Sequence, residues 1–394
     1  MSLLNKRLES LEERDLRSLI ENQVLEGKTI EYKLVLPSSS DEDKREFLAD
    51  VSSFANASGG HLIYGIKEES GVPVGIPGLR NIDPDAEILR LENMMRDAIE
   101  PRIPGVSLRA IPLEASGVGI IIRIPRSWAL PHVVKFKAHW RFYSRTSAGK
   151  YPLDVHELQA AFALSDATAE RIRNFRIERL SKIVAGETPI VMPETAKLAL
   201  HIVPFVAFDP AVRFDVSALF DDVIRLGPIH SSSWNRRHNF DGLLAYEVPR
   251  EGDFAFTYLQ IFRNGMIEAV EADMLRPRNG RHIIPGVAYE EELLTALSRF
   301  VDIQKKIGVE PPLFIMLSLI GVSGYTIATH PSDPIPYRTQ LIDRDTLIIP
   351  EVLLDSFEFE PGEVMRPLFD SIWNAAGWPG STNYNAAGKW VLRR

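Results

Sequence analysis

Between residues 8 and 25, apolar side chains recur at Leu11, Leu16, Leu19, Ile20 and Val24, an approximate stripe at helical spacing that predicts a first helix stopped by Gly27. The period then changes. Over residues 29–36, Ile30, Tyr32, Leu34 and Leu36 fall on one side and Thr29, Glu31, Lys33 and Val35 on the other, the two-residue period of a strand. Pro37 and a serine run close it. Ser39 and Glu42 resemble a capping box, and Phe47, Val51, Phe54 and Ala55 repeat at helical spacing, so a second helix is expected to reach about Ala57. Gly59-Gly60 closes it in a left-handed conformation, with Asn56 bonded locally in the same turn. HLIYGI and VPVGI read as a hairpin joined through KEESG. Asp83-Pro84 starts a third helix whose buried face is Ile88, Leu91, Met95 and Ala98. SLRAIPLEA and GVGIIIRIP pair across Ser116-Gly117, HVVKFKAHWRFYSRTS adds strands, and DVHELQAAFAL returns to helix.

Strands that come mostly as hairpins, interleaved with helices, predict an α+β domain over residues 1–165 rather than a parallel doubly wound sheet. A polar helix, SDATAERIRNFRIERLSKI, followed by Gly186-Glu187-Thr188-Pro189 reads as a helical connector over 166–195. The alternation then starts again. LALHIVPFVAF, a helix DVSALFDDVIRL, strands LLAYEVP, FAFTYLQIF and MIEAV, a helix over 289–307 and a last helix near VMRPLFDSIWNAAGW give a second α+β domain over 196–394, whose role the sequence leaves open. Arg263-Asn264-Gly265 is a strong hairpin signal. Two mixed domains also suit a length of 394 residues, more than one core usually supports.

Composition narrows the chemistry. The chain has no cysteine, which excludes disulfides, thiol nucleophiles and thiolate metal sites and points to a reducing, cytoplasmic setting. Its charged beginning reads as neither a signal peptide nor an anchor, and its longest apolar stretch, LFIMLSLIGVSGYTIA, is too short and too interrupted for a membrane span and reads as buried strand. The net charge is −8, yet residues 101–150 carry nine basic side chains against the single acid Glu114. Within that segment Lys135, Lys137, Arg141, Tyr143 and Arg145 alternate with further aromatics, the pattern that phosphate contact plus base stacking would use; a solvated strand face backed by core aromatics is the alternative. Arg236 and Arg237, in SSSWNRRHNF, form a second such cluster or an ordinary basic surface loop. There is no HExxH pair, no nucleophile elbow and no phosphate loop, so no ATP site is expected.

Taken in order, LEGKTIEYK, FANASGG, HLIYGIKEESGVPVGI and FYSRTS before a closing helix resemble the Schlafen-type divergent AlbA-like domain, a resemblance that implies nucleic-acid binding. The resemblance covers residues 19–164. It implies that three acids, here Glu26, Glu31 and Glu68, bind Mg²⁺ or Mn²⁺ and cleave structured RNA such as tRNA, with Lys33 steadying a phosphate. The third position departs from the family's G-V-D-D turn, which is Gly65-Ile66-Lys67-Glu68 here. Glu26 and Glu31, five apart, converge only if the chain turns at Gly27. The expected function is a metal-dependent endoribonuclease acting on RNA, by analogy in host defence. The alternative is a non-catalytic DNA- or RNA-binding regulator or a sensor subunit of a defence complex. A homo-oligomer or another defence protein as partner stays open.

Overall fold

The computed structural model describes residues 6, 8–114, 117–127, 129–209, 212–247, 254–329 and 340–392, with backbone alone at 164–166, 168 and 169. The protein is α+β and divides into two compact units, Met1–Glu170 and Arg171–Arg394.

In the first unit the elements run α1 (Glu13–Glu21), β1 (Ile30–Lys33), α2 (Asp41–Asn56), β2 (Gly60–Tyr64), β3 (Lys67–Glu69), β4 (Val72–Gly75), α3 (Pro84–Ala98), β5 (Ile99–Glu100), β6 (Ser107–Pro112), β7 (Val118–Ile124), β8 (Val133–Phe136), β9 (His139–Thr146), β10 (Gly149–Pro152) and the start of α4 (Val155–Val184). They build two four-stranded sheets, ordered β1-β2-β7-β6 and β10-β9-β8-β5. Ile120, Ile122 and Ile124 of β7 pack with Phe47, Val51 and Phe54 of α2. Ile121 points the other way, against Leu16 and Leu19 of α1. Both faces of β7 are therefore covered, which is why its sequence is a continuous apolar run instead of an alternation.

Several local expectations shift. Ser40, not Ser39, caps α2, accepting from the Asp43 amide at 3.1 Å. The strand pattern through Leu36 stops at Lys33, and Leu34 and Val35 are exposed. The hairpin joins β3 to β4, because β2 instead pairs parallel with β1 and antiparallel with β7. A short crossover through α2 thus brings β1 and β2 side by side, which hairpin logic missed. Ser116 of the expected β6–β7 turn lies outside the described residues; β6 and β7 pair antiparallel as expected.

In the second unit, β11 (Lys197–Pro204), β12 (Asn235–His238), β13 (Gly242–Tyr246), β14 (Thr257–Phe262), β15 (Ile267–Glu271), β16 (Ile283–Ile284), β17 (Leu313–Ile320), β18 (Thr326–Ile327), β19 (Thr346–Ile348) and β20 (Val352–Leu354) accompany helices α5 (Ala288–Lys306) and α6 (Pro361–Ala375). One large antiparallel sheet is ordered β12-β13-β14-β15-β11-β17-β19, with β20 also on β17. On β11 the two-residue period sorts side chains cleanly: Leu198, Leu200 and Ile202 join the core that includes α5 and α6. Ala199 and Val203 join clusters containing Leu180, Ile183 and Ile172 of α4. The apolar stretch beginning at Leu313 is the buried strand β17, as expected. The helix expected over DVSALFDDVIRL is only a 3₁₀ turn, Val216–Leu219. Among the described residues no helix is long and apolar enough to cross a membrane.

Candidate functional site

Asn56, the last residue of α2, organises the site. Its Nδ2 donates to the carbonyls of His132 (3.0 Å) and Tyr143 (2.8 Å), and its Oδ1 accepts from the His132 amide at 2.7 Å. It therefore ties the end of α2 to β9, in place of the local bond expected for it. The next turn has room only for glycine: a Cβ on Gly59, at φ +70°, would lie 2.6 Å from the Arg126 amide nitrogen, and one on Gly60 2.5 Å from the Thr29 carbonyl oxygen. These close approaches bring β1, β7 and β9 around the C-terminal end of α2.

Arg145 occupies the middle of that junction, buried, with its guanidinium 3.7 Å from the centre of the Phe54 ring. One of its nitrogens, Nη2, donates to Glu31 Oε2, whereas Nε and Nη1 have no hydrogen-bond partner. Each orphaned buried donor costs about 1–3 kcal/mol. On one side of Arg145 is a charge cluster. Lys33 Nζ reaches Glu31 at 3.2 Å, Glu46 at 3.3 Å and the buried Asp50 at 3.9 Å, and Lys150 reaches Asp50 at 2.6 Å. Burial alone would raise the Glu31 carboxyl, but the Arg145 hydrogen bond and the charge of Lys33 outweigh it and hold Glu31 below the usual carboxylate range. Burial pushes Asp50 up despite Lys150 and Lys33.

The three glutamates read from the sequence lie near one another but are individually engaged. Glu26 Oε1 accepts from the Tyr32 amide at 2.6 Å, and Glu68 Oε2 accepts from the Gly71 amide at 2.6 Å. Burial raises the Glu26 carboxyl, the Tyr32 amide offsets part of that, and the charges of Glu31 and Glu68 add to the rise. Lys67 points elsewhere, pairing with Glu69 at 2.9 Å, so the cations at Glu31 are Lys33 and Arg145. Among the described residues no group of three or more His, Asp or Glu is placed to hold a metal ion. Glu31 is engaged by two cations, Lys33 and Arg145, with which a divalent ion at these glutamates would have to compete.

On the other side of Arg145 opens a pocket of about 490 Å³, lined by Lys28, Ala57, Ser58, Arg126, Ser144, Arg145, Thr146, Ser147 and Tyr151. Among the described residues no carboxylate lines it. Lys28 is exposed and makes no ion pair among the described residues.

The basic strand is less free than its sequence implies. Lys135 pairs with Glu100 and stacks on Trp140 (4.3 Å), and Lys137 pairs with Asp41. Tyr143 is half-buried against the core. Arg141 is exposed without an ion pair among the described residues, beside the 65% exposed Trp140. In the second unit Arg236 stacks on Phe220 (4.8 Å), and Arg237 donates to the Pro189 carbonyl at 3.2 Å. Sequence reasoning missed Glu46, Asp50 and Lys28. The first two carried a signal, an acid pair four apart on α2 with Asp50 set among buried apolar residues.

An α+β domain with a buried arginine set between a carboxylate cluster and a cation-lined pocket is the class of protein that these features define. The family described as Schlafen, AlbA_2 matches residues 26–154, which identifies the first unit as carrying that domain. The domain points to nucleic-acid binding. A crystal structure of the DIP2311 protein from Corynebacterium diphtheriae is similar at 17% identity, with a TM-score of 0.24. It aligns over 35% of this chain, which spans 26% of that protein's length. The search of curated proteins returned no match.

Proposed function

We propose that the first unit binds nucleic acid, with phosphate entering the pocket of Lys28, Arg126 and Arg145 and a base stacking on Trp140 next to Arg141. The observation that carries this reading is the pocket itself, lined among the described residues by three cations and no carboxylate, within a domain of the Schlafen, AlbA_2 type. Fluorescence anisotropy with RNA and DNA oligonucleotides tests it. Binding weakens steeply between about 50 and 200 mM salt, because each phosphate contact releases counterions. Replacing Trp140 and Arg141 together by alanine weakens binding of both. Absence of saturable binding at the low-salt end contradicts the reading.

A second reading, metal-dependent cleavage of structured RNA such as tRNA, is favoured by the mutual proximity of Glu26, Glu31 and Glu68, whose charges add to the rise that burial imposes on the Glu26 carboxyl. It requires Glu31 to part from Arg145. Incubation with total RNA and Mn²⁺ tests it: cleavage by the wild type that disappears in Glu31→Gln supports it. Intact RNA throughout leaves a binding protein, acting as a regulator or as a subunit of a defence assembly.

A further inference from the structure

We propose that the pocket beside Arg145 takes the phosphate monoester at the end of a nucleic-acid strand, a proposal that rests on the nucleic-acid reading above. The pocket has walls from five separate places: Lys28 ahead of β1, Ala57-Ser58 behind α2, Arg126 behind β7, the turn from β9 to β10, and Tyr151. Its volume of about 490 Å³ matches a site for one small ligand, so it holds a single terminal nucleotide and not a run of them.

Charge selects the end of the strand. A phosphodiester inside a strand brings one negative charge, whereas a terminal phosphate brings close to two near neutral pH and three acceptor oxygens. Three cations line the pocket, and the carboxylates one bond away are engaged, Glu31 by Arg145 and Glu157 by the Tyr151 hydroxyl at 2.9 Å. Arg145 is 3% exposed and keeps two nitrogens without an acceptor, so the site has donor capacity that the protein itself does not use. The hydroxyls of Ser58 and Ser147 add donors at the rim. The Asn56 clamp and the tight turn at Gly59 fix these walls before any ligand arrives.

The test compares one oligonucleotide sequence with a 5′-phosphate, with a 3′-phosphate and with hydroxyls at both ends, by anisotropy competition at fixed salt. One phosphorylated form binds about tenfold tighter than the hydroxyl form, and which one it is assigns the end. Lys28→Ala, an exposed substitution, shrinks that preference severalfold. Arg145→Gln abolishes it, and circular dichroism establishes whether that variant folds; if it does not, Lys28→Ala alone decides. Equal affinity for all three forms overturns the proposal and leaves nucleic-acid binding standing. No binding of any form overturns both. A nucleoside monophosphate that binds as tightly as the phosphorylated oligonucleotide overturns the strand-end assignment in favour of a free nucleotide.

Discussion

Arg145 in the first unit and Arg179 in the second both set a guanidinium against a glutamate inside the fold, and the two pairs are finished to different degrees. Arg179 donates from Nε and Nη2, both at 2.8 Å, to the two oxygens of Glu268. His201 Nε2 lies 2.9 Å from the same carboxylate, and the Tyr258 hydroxyl donates to it at 2.8 Å. Glu268 is fully buried, and although burial alone would raise its carboxyl, these partners pull it down to about 2. Arg145 makes one contact to Glu31, with two nitrogens unused, next to an open polar pocket. A saturated buried pair specifies structure; an unsaturated one at a pocket keeps capacity for a ligand.

The largest expected effect breaks the saturated pair. Glu268→Ala leaves Arg179 buried without its carboxylate and destabilises the second unit by about 3–5 kcal/mol, read as a shift of its urea midpoint. Oligonucleotide affinity per folded molecule stays at the wild-type value. A midpoint change equivalent to under about 1 kcal/mol would show that the Arg179–Glu268 pair does not specify the structure of the second unit.

Arg145→Gln comes next, and its effects divide the other way. Lys33 still compensates Glu31, so stability falls by only about 1–2 kcal/mol, while oligonucleotide affinity drops about tenfold. Loss of stability with unchanged affinity would make Arg145 a second Arg179.

Acid titration sharpens the contrast. The carboxyl of Glu268 is lower in the folded protein than its ordinary value of 4.5, so its contribution is fully present above that value and is lost as pH falls toward about 2. Glu268→Gln, compared with wild type by urea midpoints across that range, shows a flatter decline. Parallel curves would mean that the pair carries no net linkage.

The smallest effect belongs to Lys28. Its exposed side chain predicts a stability change for Lys28→Ala within about 0.5 kcal/mol, together with a lower slope of log affinity against log salt, by about 0.7–0.9 for one phosphate contact. An unchanged slope would take Lys28 out of the site.

Why the sequence shows some of this and not the rest follows from range. The β7 run, the strand of Ile30 and Tyr32, the Asp83-Pro84 helix start and the Asn264-Gly265 turn are fixed by neighbours within a few residues, and the structure contains all of them. Residues 101–150 look uncompensated because their acids come from elsewhere: Glu100 to Lys135, Asp41 to Lys137, and Glu31 to Arg145 across 114 positions. Local charge counting cannot see such pairs. The family pattern located Glu26, Glu31 and Glu68 in one region, but Arg145 is what distinguishes a bound carboxylate from a free ligand there. The helix expected over DVSALFDDVIRL fails for a packing reason. Val216, Leu219 and Leu226 are buried in the core while Val223 and Ile224 are exposed, so only part of its stripe is covered and the helical portion is the single turn Val216–Leu219.

The most direct test of the central claim is the affinity of one phosphorylated oligonucleotide for Glu31→Gln and for Arg145→Gln at fixed salt, each measured on folded protein. The unfinished pair predicts opposite signs. Glu31→Gln releases Arg145 from its competing carboxylate and removes a negative charge, raising affinity roughly threefold, while Arg145→Gln lowers it about tenfold. Both variants unchanged, or both weakened alike, would show that Arg145 and Glu31 serve the fold alone.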